Sequence, residues 1–229
     1  MSEVANVESR RIEAFRKKVI EWYRRNGDQS LPWRSSSDPW LVLIAAFLLR
    51  KTTTKQVVAV YRRFIERYPS PSELSKADAG SVEDLIRPLG IERQRAKHLV
   101  ELANYIVENF GGTVPCSREK LKKLPGVGDY TASEVLLVAC SQPEPLLDRN
   151  MVRVLERVLC AKSSKPRPHT DPHLWKIARE IVPSDIQEAR AFNFGVLDLA
   201  RKICKAGKPK CLACPLSDIC ACHGEKTAR

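Results

Sequence analysis

Apolar side chains recur at spacings of three and four through most of the chain, and nowhere does a period of two persist, so the pattern predicts an all-α protein. An opening helix spans about Ile12 to Arg25, with Ile12, Phe15, Val19 and Trp22 on one side and the turn Asn26-Gly27-Asp28 closing it. The residues before Ile12 are polar and stay outside it. Trp40 to Leu49 is almost wholly apolar and too short for a membrane, which marks a buried core helix. Amphipathic helices follow at Lys55 to Tyr68, ended by Pro69 and Pro71, then near Val82 to Arg87 and from Arg93 to Phe110, stopped by Gly111-Gly112.

Two further helical stretches, Arg118 to Leu124 and Tyr130 to Cys140, are joined by Pro125-Gly126-Val127-Gly128-Asp129. In the second, Ala132, Val135, Leu136 and Ala139 share a face. Asp148 heads a helix running to Cys160; a polar, proline-spaced loop from Lys162 to Pro172 leads on to helices at His173 to Val182 and Asp185 to Cys204. The short tail after Cys222 carries no pattern.

Charge sharpens this picture. The 39 Lys and Arg against 27 Asp and Glu leave +12, spread over the chain, a balance that favours a nucleic-acid partner and is also found in ribosomal and membrane-surface proteins. Neither a membrane span nor a secretory leader is visible, so an intracellular protein is expected. Of eight cysteines, four crowd into one segment, which suits a metal centre better than a disulfide framework; Cys116, Cys140 and Cys160 read as small buried apolar residues.

Three stretches carry candidate chemistry. The glycines at 126 and 128 allow a sharp turn between helices, with backbone N–H groups around Val127 to Tyr130 and a helix N-terminus aimed at a phosphate oxygen, a grip that positions a backbone without reading bases. Cys204, Cys211, Cys214 and Cys220 are spaced C-x6-C-x2-C-x5-C. Four thiolates can hold zinc or an iron-sulfur cluster; one short pair flanked by wider gaps favours [4Fe–4S] over two zinc knuckles. Cys222 falls outside the set. Lys205, Lys208 and Lys210 lie on the loop between the first two ligands, placed for phosphate contact or as ordinary basic loop residues.

These motifs together resemble the endonuclease III superfamily of helix-hairpin-helix DNA glycosylases, nearest in pattern to archaeal-type G:T and G:U mismatch enzymes, with adenine glycosylases next. The likeness runs from about Ile12 to Cys222 and is carried by LPWR from Leu31, LLRKTT from Leu48, LGIERQRAKHL from Leu89, GGTVP from Gly111, LPGVGDYTA from Leu124, LDRNMVRVL from Leu147, FNFGVLDL from Phe192 and the cysteine spacing. It implies two helical lobes flanking a cleft: residues 37–141 with the hairpin, and residues 1–36 with 142–229 carrying the cluster. It further implies double-stranded DNA with a mismatched or damaged base as partner, a monomer, and a monovalent cation on the carbonyl side of the hairpin.

Residue by residue, the resemblance makes Asp148 the catalytic aspartate, although Asp at a helix start is also a good N-cap. Tyr130 stands where strand-cutting members place a lysine; a phenol cannot form a Schiff base, so a monofunctional enzyme is implied. Arg50 and Lys51 match residues that fill the gap left by an extruded base, and Ile91 falls near an intercalating wedge. Ala46 departs from the pattern, standing where adenine glycosylases and close thymine-removing members carry an acid. Thymine and uracil can leave as delocalised N1 anions, whereas adenine leaves poorly unless protonated, so the loss of that acid counts against adenine excision. A non-catalytic DNA-binding module would leave Tyr130 and Asp148 without purpose.

Overall fold

The computed structural model describes residues 3–222, with side chains from residue 9 onward; the tail beyond Cys222 lies outside the described residues. Eleven α-helices are found among them: α1 (Glu3–Asn26), α2 (Pro39–Leu48), α3 (Thr54–Arg67), α4 (Pro71–Ser75), α5 (Ala79–Ile86), α6 (Glu92–Phe110), α7 (Arg118–Leu121), α8 (Asp129–Val138), α9 (Arg149–Leu159), α10 (Pro172–Ile181) and α11 (Ile186–Lys202). No strand occurs among the described residues, and no helix is long and apolar enough to cross a membrane.

Two expectations need correction. The opening helix starts at Glu3 instead of near Ile12: residues 3–11 contain neither Gly nor Pro, and extending a formed helix costs far less than nucleating one. Pro71 does not merely end α3 but opens α4, at a position where its missing N–H would have no helical partner, behind the N-cap Ser70.

The chain divides into two compact units, residues 30–142 and residues 1–29 with 143–229. In the first, α2 is buried from Val42 to Leu48 and α8 from Thr131 to Val138, and these two helices pack on each other as the centre of that unit. Their apolar surfaces explain the all-round hydrophobic sequence of α2, since a helix covered on every side needs no polar stripe. Asp38 caps α2 through the Trp40 N–H at 2.8 Å, and a capping box of Thr53 and Gln56 starts α3. Trp33 stacks edge-on against Tyr61 at 5.2 Å, which holds residues 30–36 in this unit.

In the second unit α1 lies along α11, with Phe15 edge-on to Phe192 at 5.3 Å. Gly195 lets the two backbones approach: a Cβ there would sit 2.6 Å from Val19 Cγ1 and 3.1 Å from the Val19 carbonyl oxygen. Asp198, buried beside this contact, accepts from the Asp28 N–H at 2.8 Å and pairs with Arg201 at 3.3 Å, so the turn after α1 is fastened to α11.

Candidate nucleic-acid interface and cluster site

The hairpin between α7 and α8 is anchored from below by Leu121, Leu124 and Val127, all buried. Gly126 carries φ +73°, and a Cβ on it would meet Arg50 Nη1 and the Phe47 ring at 3.3 Å, so this position needs glycine for both backbone and space. Gly128 differs: it is extended, with open space where a Cβ would lie, and it forms the N-cap of α8. With glycine there, the N-cap residue makes no side-chain cap bond to α8, whose first turn begins with Asp129.

Charged side chains brace this turn. Lys122 and Arg118 reach Asp129 at 2.8 and 3.5 Å, and Arg118 donates to Ser133 at 2.7 Å. Arg50 donates to the Gly126 carbonyl at 2.7 Å and to Thr131 Oγ1 at 3.3 Å while its guanidinium lies 3.7 Å over the Phe47 ring. Burial first, then the Arg95 charge, lowers the Arg50 pKa, with the buried Glu134 carboxylate opposing them. Glu134 itself, 4% exposed within the buried run Thr131 to Val138 of α8, escaped the sequence reading, although an acid within Ala132-Ser133-Glu134-Val135-Leu136 was its visible signal.

Cys116 and Cys140 overturn one sequence expectation. They are joined by a disulfide, Cα to Cα 5.6 Å, instead of being buried thiols, and Cys160 is exposed at the left-handed C-cap of α9. Cys116 precedes α7 and Cys140 follows α8, so the bond closes a loop containing the whole hairpin pair. A separation of 24 residues hid a proximity that only the reversal of the chain at Gly126 creates.

Lys51 and Ile91 are both exposed, Ile91 by 51%, and both hold left-handed backbone, φ +53° and +54°. The buried Arg95, also missed from sequence, donates to the carbonyls of Phe47, Leu48 and Arg50 and to Thr52 Oγ1, all within 3.0 Å.

In the other unit, Asp148 is the N-cap of α9. Its Oδ1 accepts from the Asn150 and Met151 N–H groups at 2.8 Å each, and its Oδ2 from the Asn150 amide at 2.7 Å. The side chain is thus fixed in orientation. Burial raises its pKa above the ordinary carboxylate value, with those hydrogen bonds and the Arg153 charge pulling the other way. The segment entering Asp148 is set by Asn193, fully buried in α11, which accepts from the Leu146 N–H at 2.7 Å and donates to the carbonyls of Glu144 and Ala189. Tyr130, half-buried in the first turn of α8, belongs to the unit of residues 30–142.

Cys204, Cys211, Cys214 and Cys220 all line one cavity of about 110 Å³, walled by apolar residues including Val154, Leu199, Ile203 and Leu216; Cys222 also reaches it. Among the described residues no three Cys, His, Asp or Glu side chains converge closely enough for a single metal ion. Yet the thiols are near neighbours: burial, then the other three cysteines, push the Cys214 thiol up to about 11. Four thiols lining one cavity form a donor set of the kind that holds zinc or an iron-sulfur group. Arg157 donates to Cys204 Sγ at 3.3 Å and to the Lys205 and Ala206 carbonyls, pinning the loop on which Lys205, Lys208 and Lys210 stand exposed.

Comparison with known proteins agrees with this picture. Residues 44–180 match the family profile described as HhH-GPD superfamily base excision DNA repair protein, and residues 204–220 that of the iron-sulfur binding domain of endonuclease III. The chain is 65% identical over 210 residues to a thymine-DNA glycosylase of Aeropyrum pernix, covering 92% of this chain and 94% of that one. It is 56% identical to a thymine/uracil-DNA glycosylase of Pyrobaculum aerophilum, covering 93% of each. The solved structure of a thermostable thymine-DNA glycosylase superposes with a TM-score of 0.88 at 31% identity, over 95% of this chain and 98% of that one.

Proposed function

Because the chain belongs to the HhH-GPD superfamily of base-excision DNA-repair proteins, we propose that it is a monofunctional glycosylase hydrolysing the N-glycosidic bond of thymine or uracil opposite guanine in duplex DNA. What carries this reading is the pair of residues opening α8 and α9. Tyr130 offers no amine to attack the sugar, and the Asp148 carboxylate is held in one orientation by its own helix.

As the glycosidic bond breaks, positive charge develops at the anomeric carbon. A fixed carboxylate beside it stabilises that charge and orients or deprotonates the attacking water. The base departs as a delocalised anion, which suits pyrimidines and a site with Ala46 in place of an acid. With no lysine at position 130, the product is an abasic site on an intact strand.

The uncapped start of α8 and the turn at Gly126 to Gly128 take a DNA phosphate, with a monovalent cation on the carbonyl side, and the lysines at 205, 208 and 210 take others. Cys204, Cys211, Cys214 and Cys220 would hold a [4Fe–4S] cluster, which when bound cross-links the chain after α11 and keeps that lysine loop in place.

The test is a panel of duplexes carrying single G:T, G:U, G:A, oxidised-G:A and thymine-glycol sites. Strand breaks at G:T and G:U only after alkali are expected. Breakage without alkali, with borohydride trapping of a covalent complex, would refute the monofunctional assignment, and preferential excision of adenine would refute the pyrimidine one. Iron and acid-labile sulfide analysis tests the cluster; a colourless protein containing zinc alone would exclude it.

A further inference from the structure

Two exposed residues hold a backbone conformation that L side chains rarely adopt, and one buried arginine joins the segments that carry them. Lys51 follows α2 and Ile91 is the N-cap of α6; for a β-branched residue, left-handed backbone is a genuine outlier that persists only where the surroundings enforce it. An isoleucine at such a point, 51% exposed, leaves half of its apolar surface outside the core of its own unit.

Arg95 supplies the enforcement. Its backbone N–H donates to the Ile91 carbonyl at 3.0 Å, so it sits one turn into α6 from the strained residue. Its Nη1 donates to the Phe47 and Leu48 carbonyls, both 2.8 Å, in the last turn of α2, where the Phe47 carbonyl also accepts from the Arg50 N–H at 3.4 Å. Its Nη2 donates to the Arg50 carbonyl at 2.9 Å and Thr52 Oγ1 at 3.0 Å, which bracket Lys51. A single planar fork thus fixes the residue before Lys51, the residue after it, and the spacing from there to Ile91. At 8% exposure the guanidinium is out of reach as a direct DNA contact.

We propose that Arg95 is a positioning residue for base extrusion, holding the Lys51 ammonium and the Ile91 side chain as one rigid pair that enters the duplex together. This rests on the glycosylase reading above. Opening a base pair leaves a gap and an orphaned guanine; an apolar wedge between base steps and a cationic donor facing the guanine acceptors fill it only at a fixed mutual distance. Arg is required because an ammonium is a point donor and cannot span four oxygens.

The test pairs Arg95→Lys with Lys51→Ala in a double-mutant cycle, using G:T and G:U duplexes that carry 2-aminopurine beside the mismatch. Arg95→Lys is expected to lower single-turnover excision by about tenfold and suppress the 2-aminopurine rise, with binding to undamaged duplex within about twofold of the parent. In the Lys51→Ala background the same change should cost less than about twofold, because the pair it aligns is already broken. An equal loss in both backgrounds, or no loss in either, overturns the proposal, and thermal melting of each variant separates this from a failure to fold. If the parent extrudes the mismatch by fluorescence but excises nothing, the glycosylase reading fails while the role of Arg95 is still measured.

Discussion

Replacing Cys116 by Ser opens the loop that encloses α7, the Gly126 turn and α8. The bridge spans 24 residues, for which the chain-entropy relation gives a stabilisation of about 3.5 kcal/mol through restriction of the unfolded chain. In a protein of 229 residues, with about 2–4 °C of melting temperature per kcal/mol, the variant should melt about 7–14 °C below the parent. Melting is followed by circular dichroism without reductant for the parent, Cys116→Ser and Cys140→Ser. The two variants should coincide, and a thiol reductant should bring the parent down to them while leaving them unmoved. Mass spectrometry of protein alkylated after unfolding and iron removal should show six labelled cysteines in the parent, matching its six free thiols. Eight labels, or parent and variants melting within about 2 °C of one another, would refute the reasoning. Affinity for undamaged duplex should fall with reduction, since the bond holds the two arms of the turn proposed above to take a DNA phosphate.

Asp148→Asn should abolish excision while retaining duplex binding, because Asn can still cap α9. Burial raises the Asp148 pKa, so its ionised form carries a cost in the folded protein that is full at neutral pH, fades as the pH falls through the raised folded value and is gone below the unfolded one; any stability advantage of Asp148→Asn is therefore largest near neutrality and closes in acid. By the same shift, the parent's excision rate should fall on acidification through a pKa above that of an ordinary aspartate; a limb at or below it would refute the upward shift, and a rate with no acid limb that Asp148→Asn removes would count against an essential carboxylate here. Gly195→Ala drives a Cβ toward the Val19 side chain and carbonyl; even after the gain in helix propensity it should cost about 1–2 kcal/mol by guanidinium unfolding. Asn193→Ala strips partners from the Leu146 N–H and the Glu144 carbonyl and should cost about 2–4 kcal/mol, with a loss of excision beyond the stability change because the entry to Asp148 loosens.

Local pattern was enough for most helices, because apolar periodicity and caps act within a few residues. The sharp breaks at Gly111-Gly112 and at Gly126 were visible in sequence for the same reason, and left-handed φ values at these glycines confirm them. The extra turns of α1 and the short α4 were not visible, since continuation of a helix through polar residues and a proline that starts a helix look like loop. The motifs also contained the cysteine spacing, and the wall of one cavity gathers those four thiols.

The sequence by itself determined that the chain is helical and basic and that four cysteines crowd into one segment, because these are matters of period, charge count and spacing; the motifs around Tyr130 and Asp148 point to base-excision chemistry only through their likeness to a known family. Only the tertiary structure decided which residues hold those groups in place. Arg95 reaches back more than forty residues to the end of α2, Asn193 to the segment before Asp148, and Cys140 to Cys116. Arg50, one of a basic pair in sequence, turns onto the hairpin carbonyl while its neighbour Lys51 stays exposed. Such contacts depend on helix directions and chain reversals, which no local window of residue types contains, and buried hydrogen bonds to backbone oxygens leave no compositional trace.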